Sequence, residues 1–221
     1  MTQKVNDLIA VSDPRSPISE AYRTLRTNLD FASLDQALKT IAVTSAGVGE
    51  GKSTTLANLA IVSAQTGRRV VLVDADLRRP TLHQLFGLGN EAGLTTMVMD
   101  DTALTDPPLQ ATSIEGLSLL TSGPLPPNPA ELLGSRRMAE VIATLAEGAD
   151  QVFFDTPPVV AVTDAAVLAT KVDGVLLVIS AGQTRREYAR TAVQRLEQIN
   201  ARLVGTVLTN VQVGGGFSGY Y

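Results

Sequence analysis

The apolar positions of this chain fall into six short runs, at residues 40–44, 69–74, 117–121, 151–155, 172–180 and 203–210. Several are continuous rather than alternating, the pattern of strands buried on both faces of a parallel sheet. Between them lie segments with helical spacing. One covers residues 20–29 behind an N-cap at Ser19, another residues 56–62. A third covers residues 130–147, with Leu132, Leu133, Val141, Ile142 and Leu145 on or near its buried side. The last covers residues 185–200 and carries Tyr188 among arginines. His83 falls in a further helix start, where a surface or packing role is expected. Residues 87–114 are Gly-rich and mixed, and predict short helices and loops over the sheet edge. The proline-rich stretch 123–129 predicts a stiff loop. Residues 1–16 are polar, with Pro14 and Pro17, and are expected to form an arm. The tail 214–221 is glycine-rich and flexible by composition. The predicted architecture is α/β: one domain over residues 17–213, with a mostly parallel central sheet and helices on both faces.

Residues 45–55 read Ser-Ala-Gly-Val-Gly-Glu-Gly-Lys-Ser-Thr-Thr. A strand precedes them and a helix follows, which is the context a phosphate-binding P-loop requires. Gly47, Gly49 and Gly51 are expected to allow turns that a Cβ would block. Successive N–H groups and the helix N-terminus can then hold a phosphate chain. The nucleotide cradle comprises Gly47, Val48, Gly49, Glu50, Gly51, Lys52, Ser53 and Thr54. Lys52 supplies charge for the β- and γ-phosphates, and the Ser53 hydroxyl can ligate Mg²⁺. The strict pattern opens on glycine, but here the position is Ala46. Alanine costs little if its φ stays negative.

Two strands deliver carboxylates at their ends. The second run ends in Asp74-Ala75-Asp76, with Pro80 placed for the first turn of the next helix. The fourth ends in Asp155. The carboxyl ends of parallel strands face the ligand crevice. Two acids buried there need a metal or a proton in compensation. A helix N-cap could account for Asp76, but not for the pair. Asp155 fits the second acidic element of P-loop enzymes, which holds Mg²⁺ directly or through water. Asn210 closes the last strand, where its amide could read a base edge.

Composition narrows the choices. The chain has 221 residues, 44% hydrophobic and 18% charged, enough for one α/β domain with a full core. Net charge is −4, so nucleic acid is not an expected partner. With no cysteine and one histidine, disulfides and Cys- or His-rich metal sites are excluded. No apolar run approaches the ~20 residues that span a bilayer. No signal-peptide core is present either, so a soluble cytoplasmic chain is expected.

Glu20, Arg23 and Arg26 are spaced three apart and share a helix face. From spacing alone this is a solvated face with an ion pair worth a few tenths of a kcal/mol. Tyr220 and Tyr221 end the chain on a glycine tether that could reach an active site.

Taken together, these residues resemble the cytoplasmic catalytic domain of the bacterial tyrosine kinases (BY-kinases) of capsule and exopolysaccharide synthesis. The matching parts are Ala46 to Ser53, the run Val71 to Pro80, the segment Phe154-Asp155-Thr156-Pro157-Pro158, the stretch Gly123 to Leu133, and Ser19 to Arg26. The resemblance implies ATP and Mg²⁺ as cofactors. It implies roles on the metal for Asp76 and Asp155, and a role for Asp74 in orienting or deprotonating the acceptor phenol. It places Glu20, Arg23 and Arg26 between subunits of a homo-oligomeric ring, an octamer in the family. It makes Tyr220 and Tyr221 a short form of the autophosphorylated tyrosine cluster. The family's membrane-spanning activator segment would then be a separate chain or a removed part, holding the kinase at the inner membrane face. A competing class is the partner-controlled ATPase switch of cell division and plasmid partition, which usually carries a lysine where this chain has Gly47. A third is a non-catalytic ring subunit that binds ATP only to assemble. A reductase of the nitrogenase-iron type is disfavoured, since no cysteine exists to hold its cluster.

Overall fold

A computed structural model describes residues 5–32, 34 and 38–211. The tail carrying Tyr220 and Tyr221 lies outside the described residues.

Seven strands form one sheet: β1 (Thr40–Ser45), β2 (Val70–Asp74), β3 (Gln110–Ala111), β4 (Leu117–Leu120), β5 (Gln151–Asp155), β6 (Gly174–Ser180) and β7 (Leu203–Thr209). Their spatial order is β3-β4-β2-β5-β1-β6-β7. Every pairing is parallel except β3 with β4 at one edge. The ten helices among the described residues are α1 (Ile9–Ser12), α2 (Pro17–Ala32), α3 (Lys52–Ala64), α4 (Leu82–Phe86), α5 (Leu94–Met99), α6 (Asp101–Thr105), α7 (Pro129–Gly134), α8 (Arg136–Gly148), α9 (Asp164–Ala169) and α10 (Arg186–Gln198).

The central strands are buried along their whole length because helices cover both faces. Alternate residues feed different cores. Val70, Leu72 and Phe153 pack with α3 and α4, whereas Val71, Val73, Val152 and Phe154 pack with α5, α8, α9 and α10. The period of two therefore also fixes where the strand ends point. Asp74 and Asp155 fall in the same phase as Leu72 and Phe153, and so emerge on the α3 side.

Several local expectations are corrected. Residues 5–12 are not an irregular arm: a 3-10 turn at Val5–Asp7 and α1 pack Val5, Leu8 and Ala10 into the α3 core. Pro17 opens α2 rather than blocking it, because its fixed φ suits a first helical turn. The cap of α2 is Ser16, whose Oγ accepts from the Ser19 N–H, and not Ser19 itself. Ser19 is buried and donates instead to the carbonyls of Ile9 and Asp13. Pro80 precedes α4 instead of lying in its first turn. The helix expected over residues 130–147 is broken at Ser135, whose Oγ accepts from Met138 N–H to start α8. The two-residue strand β3 falls in the stretch 87–114, where only short helices and loops are expected, and the short α9 carries no expectation from the sequence.

Asn58 joins the N-terminal segment to α3. Its Oδ1 accepts from the Ala10 N–H at 2.9 Å in the interior, and its Nδ2 donates to the Thr54 carbonyl at 2.8 Å, partly buried. Asn58→Ala leaves the Ala10 amide without a partner. The expected loss is about 1–3 kcal/mol in urea unfolding, with faster hydrogen exchange at Ala10.

Candidate active site

The turn between β1 and α3 is shaped by two glycines in the left-handed region, Gly49 (φ 78°) and Gly51 (φ 83°), the latter capping α3. A side chain at either would be strained. Gly47 is different, since its φ is not in that region; a Cβ there would sit 3.0 Å from the Glu50 Oε1. At 47 it is space, not backbone twist, that favours glycine, since a side chain would push the Glu50 carboxylate by a few tenths of an ångström. Ala46 keeps a negative-side φ, as required of an alanine at that position.

Glu50 explains the crowding. Its buried carboxylate accepts from the Ala46 N–H at 3.0 Å and from the Thr184 hydroxyl at 2.6 Å. Thr209, the last residue of β7, donates its hydroxyl to the Glu50 carbonyl at 2.8 Å. The loop is thus tied across its own base and to the ends of β6 and β7. Neither Thr184 nor Thr209 is signalled by any sequence motif.

Beneath the loop, α3 presents Lys52 and Ser53 to the strand ends. Lys52 Nζ donates to Asp155 Oδ1 at 2.7 Å and lies 3.5 Å from Asp76 Oδ2. The Ser53 hydroxyl donates to Asp155 Oδ2 at 2.5 Å. Asp74 and Asp155 are register partners on adjacent strands, and both are wholly buried. Asp74 Oδ2 accepts from the N–H groups of Thr81 and Leu82, and its Oδ1 has no partner among the described residues. Asp76 Oδ1 accepts from the Arg79 N–H. So the carboxylate that caps a helix is Asp74, at the start of α4, and not Asp76.

Burial pushes the Asp74 carboxyl from 3.8 up to about 8, and the charge on Asp155 adds to the rise. Burial also raises Asp155, against the pull of Lys52 and Ser53. For Lys52, burial works to lower the pKa, but Asp155, Asp76 and Asp74 together raise it. The ammonium stays charged.

An open cleft of about 750 Å³ lies over this group, lined by residues 47–54, Asp76, Arg78, Arg79, Pro157 and Pro158 among others. Ser53 Oγ, Asp155 and Asp76 offer hard oxygen donors of the kind Mg²⁺ takes. Among the described residues no three His, Cys, Asp or Glu side chains are arranged so that they alone could hold a metal ion. An ion here would draw its remaining ligands from water and phosphate oxygens, which is usual for magnesium at phosphate sites.

Residues 41–214 match the model of the CobQ/CobB/MinD/ParA nucleotide binding domain, so this is a nucleotide-binding chain. The tyrosine-protein kinase YwqD of Bacillus subtilis is 48% identical over 91% of this chain and 85% of its own length. The chain is a BY-kinase. The BY-kinase fold agrees with two solved structures. The chimerical protein CapA2B2 has a TM-score of 0.86 at 40% identity, covering 91% of this chain and 88% of that one. The kinase domain of the Escherichia coli tyrosine kinase ETK has 0.84 at 34% identity, covering 94% and 82%.

Of the expected BY-kinase site residues, the structure brings Lys52, Ser53, Asp74, Asp76 and Asp155 into one group. Asn210, next to the loop-bracing Thr209, is not among the residues lining the cleft; its φ is 56° and its Nδ2 donates to Ser180 Oγ. Glu20, Arg23 and Arg26 lie on α2, away from the cleft. Arg23 pairs with Glu20 and donates to the Pro14 carbonyl, and Arg26 donates to the Val62 carbonyl of α3. Sequence reasoning missed Asp164, wholly buried at the start of α9, which grips Arg78 at the cleft wall. Arg78 lay in view in the run Asp-Ala-Asp-Leu-Arg, but its partner 86 residues away gave no signal.

The raised Asp74 carboxyl sets a pH dependence. A carboxyl that stays protonated to higher pH when folded stabilises the fold fully below the unfolded value, and loses that contribution as pH rises through the folded value. The nucleotide-free protein is expected to lose stability between pH 3.8 and about 8 from this group. Asp74→Asn should flatten that slope in thermal melts taken across the range.

Proposed function

We propose that this protein is an ATP- and Mg²⁺-dependent protein-tyrosine autokinase that controls capsule or exopolysaccharide synthesis and export. The observation that carries the proposal is the convergence of Lys52, Ser53, Asp76 and Asp155 beneath a glycine-lined loop, at the floor of a cleft open to a protein substrate. The reaction moves the γ-phosphoryl group from ATP to a tyrosine. The bond from phosphorus to the β–γ bridging oxygen breaks, a bond to the phenol oxygen forms, and the phenol proton leaves to a base. When bound, Mg²⁺ neutralises charge on the phosphate oxygens. Ser53, Asp155 and Asp76 are the residues to hold it, the acids partly through water. Lys52, now paired with Asp155, has the reach and charge to turn to the phosphates. Asp76 lines the cleft, whereas Asp74 lies behind it. Asp74 Oδ1, without a partner among the described residues, is the acceptor we assign to the phenol, reached when the turn from Asp76 to Arg79 moves aside. The positive charge of Lys52 and of a bound Mg²⁺ would favour the ionised carboxylate this role needs. A phenol of pKa ~10 needs such help to become a nucleophile at neutral pH.

A homo-oligomeric ring presents Tyr220 or Tyr221 of one copy to the site of the next. Glu20, Arg23 and Arg26 supply the contact, and a membrane-spanning activator holds the ring at the inner face of the membrane. Phosphate added to the tail places negative charge beside an acidic site and loosens docking. Among the described residues no helix is long and apolar enough to cross a membrane. A partner-controlled ATPase switch is the weaker reading. A lysine at position 47 would press its Cβ to 3.0 Å from the Glu50 carboxylate that braces the loop, so the brace would have to shift.

With labelled ATP and Mg²⁺, phosphotyrosine is expected on the chain by mass spectrometry. Lys52→Met should lower the label on the order of 100-fold or more. Steady phosphate release with no phosphotyrosine in the parent would favour the switch. Replacing Glu20, Arg23 and Arg26 together by alanine should convert the ring to monomers in light scattering. The melting temperature should move by only a few degrees.

A further inference from the structure

Resting on that reading of the site, we infer that Arg78 is a built-in cation for the transferring phosphoryl group, and that Asp164 is the positioning residue that aims it. Asp164 has no exposed surface, and its two oxygens accept from Arg78 Nε at 2.8 Å and Nη2 at 3.0 Å. This is the planar, two-bond grip that fixes a guanidinium in orientation as well as position. The third nitrogen, Nη1, has no partner among the described residues. Arg78 lines the same cleft as Lys52 and the glycine-rich loop. The neighbouring turn is also held, since Arg79 N–H donates to Asp76 Oδ1 at 3.0 Å.

Such a pair has little reason to exist for stability alone. A fully buried carboxylate costs solvation that one half-exposed arginine only offsets, and an apolar pair of similar shape is often as stable. What the arrangement does provide is a cation whose freedom has been lost before any ligand arrives. Charge that develops on the phosphoryl oxygens during transfer is best met by a group that need not reorganise. In enzymes of this chemistry an arginine supplied in the same chain fills that role. Lys52 would serve the phosphates of bound ATP from the loop, and Arg78, which follows β2 in the chain, would serve the transferred group from its own wall of the cleft. Asp164 never touches the nucleotide; it acts through Arg78.

The test is a comparison of ground-state and transition-state affinity. Parent, Arg78→Ala, Asp164→Asn and the double variant are titrated calorimetrically with MgATP analogue, and separately with MgADP plus aluminium fluoride. Each single variant is expected to lose roughly tenfold or more in affinity for the fluoride complex, with the ATP analogue held within about twofold. Asp164→Asn should add no further loss in the Arg78→Ala background, because its effect runs through the arginine. In turnover, kcat should fall with KM for ATP unchanged. Arg78 is half-exposed, so its alanine variant keeps a folded reference even if Asp164→Asn melts early. Equal losses for both ligands, additive losses in the double variant, or an unchanged fluoride affinity in Arg78→Ala would each overturn the inference. These titrations need no tyrosine acceptor. A parent that makes no phosphotyrosine therefore defeats the kinase reading while the role of Arg78 is still decided.

Discussion

Two carboxylates set side by side in a dry place are what this structure must accommodate. Parallel pairing of β2 with β5 puts Asp74 opposite Asp155, and neither has contact with solvent. Left alone, such a pair would be costly enough to reject. Three features offset it. Lys52 reaches in from α3 to Asp155, the turn into α4 turns two N–H groups onto Asp74, and Asp74 itself holds its proton to about pH 8. Asp76 at the rim leaves the group short of positive charge. The site is accordingly suited to take a cation together with phosphate, and the balance changes when they arrive.

The glycine-rich loop is braced independently of any ligand. Glu50 ties the Ala46 amide to Thr184, and Thr209 holds the Glu50 carbonyl from the end of β7. The brace links loop position to β6 and β7, on the opposite side of β1 from the acids. It also gives a physical reason for Gly47, where a side chain would press on the bracing Glu50 carboxylate. A loop shaped beforehand pays less entropy on binding than one that must be ordered by its nucleotide.

The N-terminal segment joins the same machinery from behind. Residues 5–12 pack on α3, and Asn58 bridges Ala10 to Thr54, one residue beyond Ser53. Arg26 of α2 reaches the C-terminal turn of the same helix at Val62. The helix carrying Lys52 is therefore held at its back by both the N-terminal segment and α2.

Much of this was written in local sequence. Continuous apolar runs announced buried parallel strands, and the order strand, glycine-rich turn, Gly-Lys-Ser, helix announced the phosphate site, because each depends on residues within a few positions of one another. Asp74, Asp76 and Asp155 could be singled out for the same reason: a polar residue ending an apolar run is visible without the fold. The polar arm expected over residues 1–16 misled, since what decided residues 5–12 was a core built by α3, and the role of Gly47 was misassigned, since it depends on where Glu50 folds back. Which acid caps α4, that Asp164 holds Arg78, and that Thr184 and Thr209 secure the loop are matters of contact across tens of residues. Strand order and register create those contacts, and neither is encoded in any one stretch of the chain.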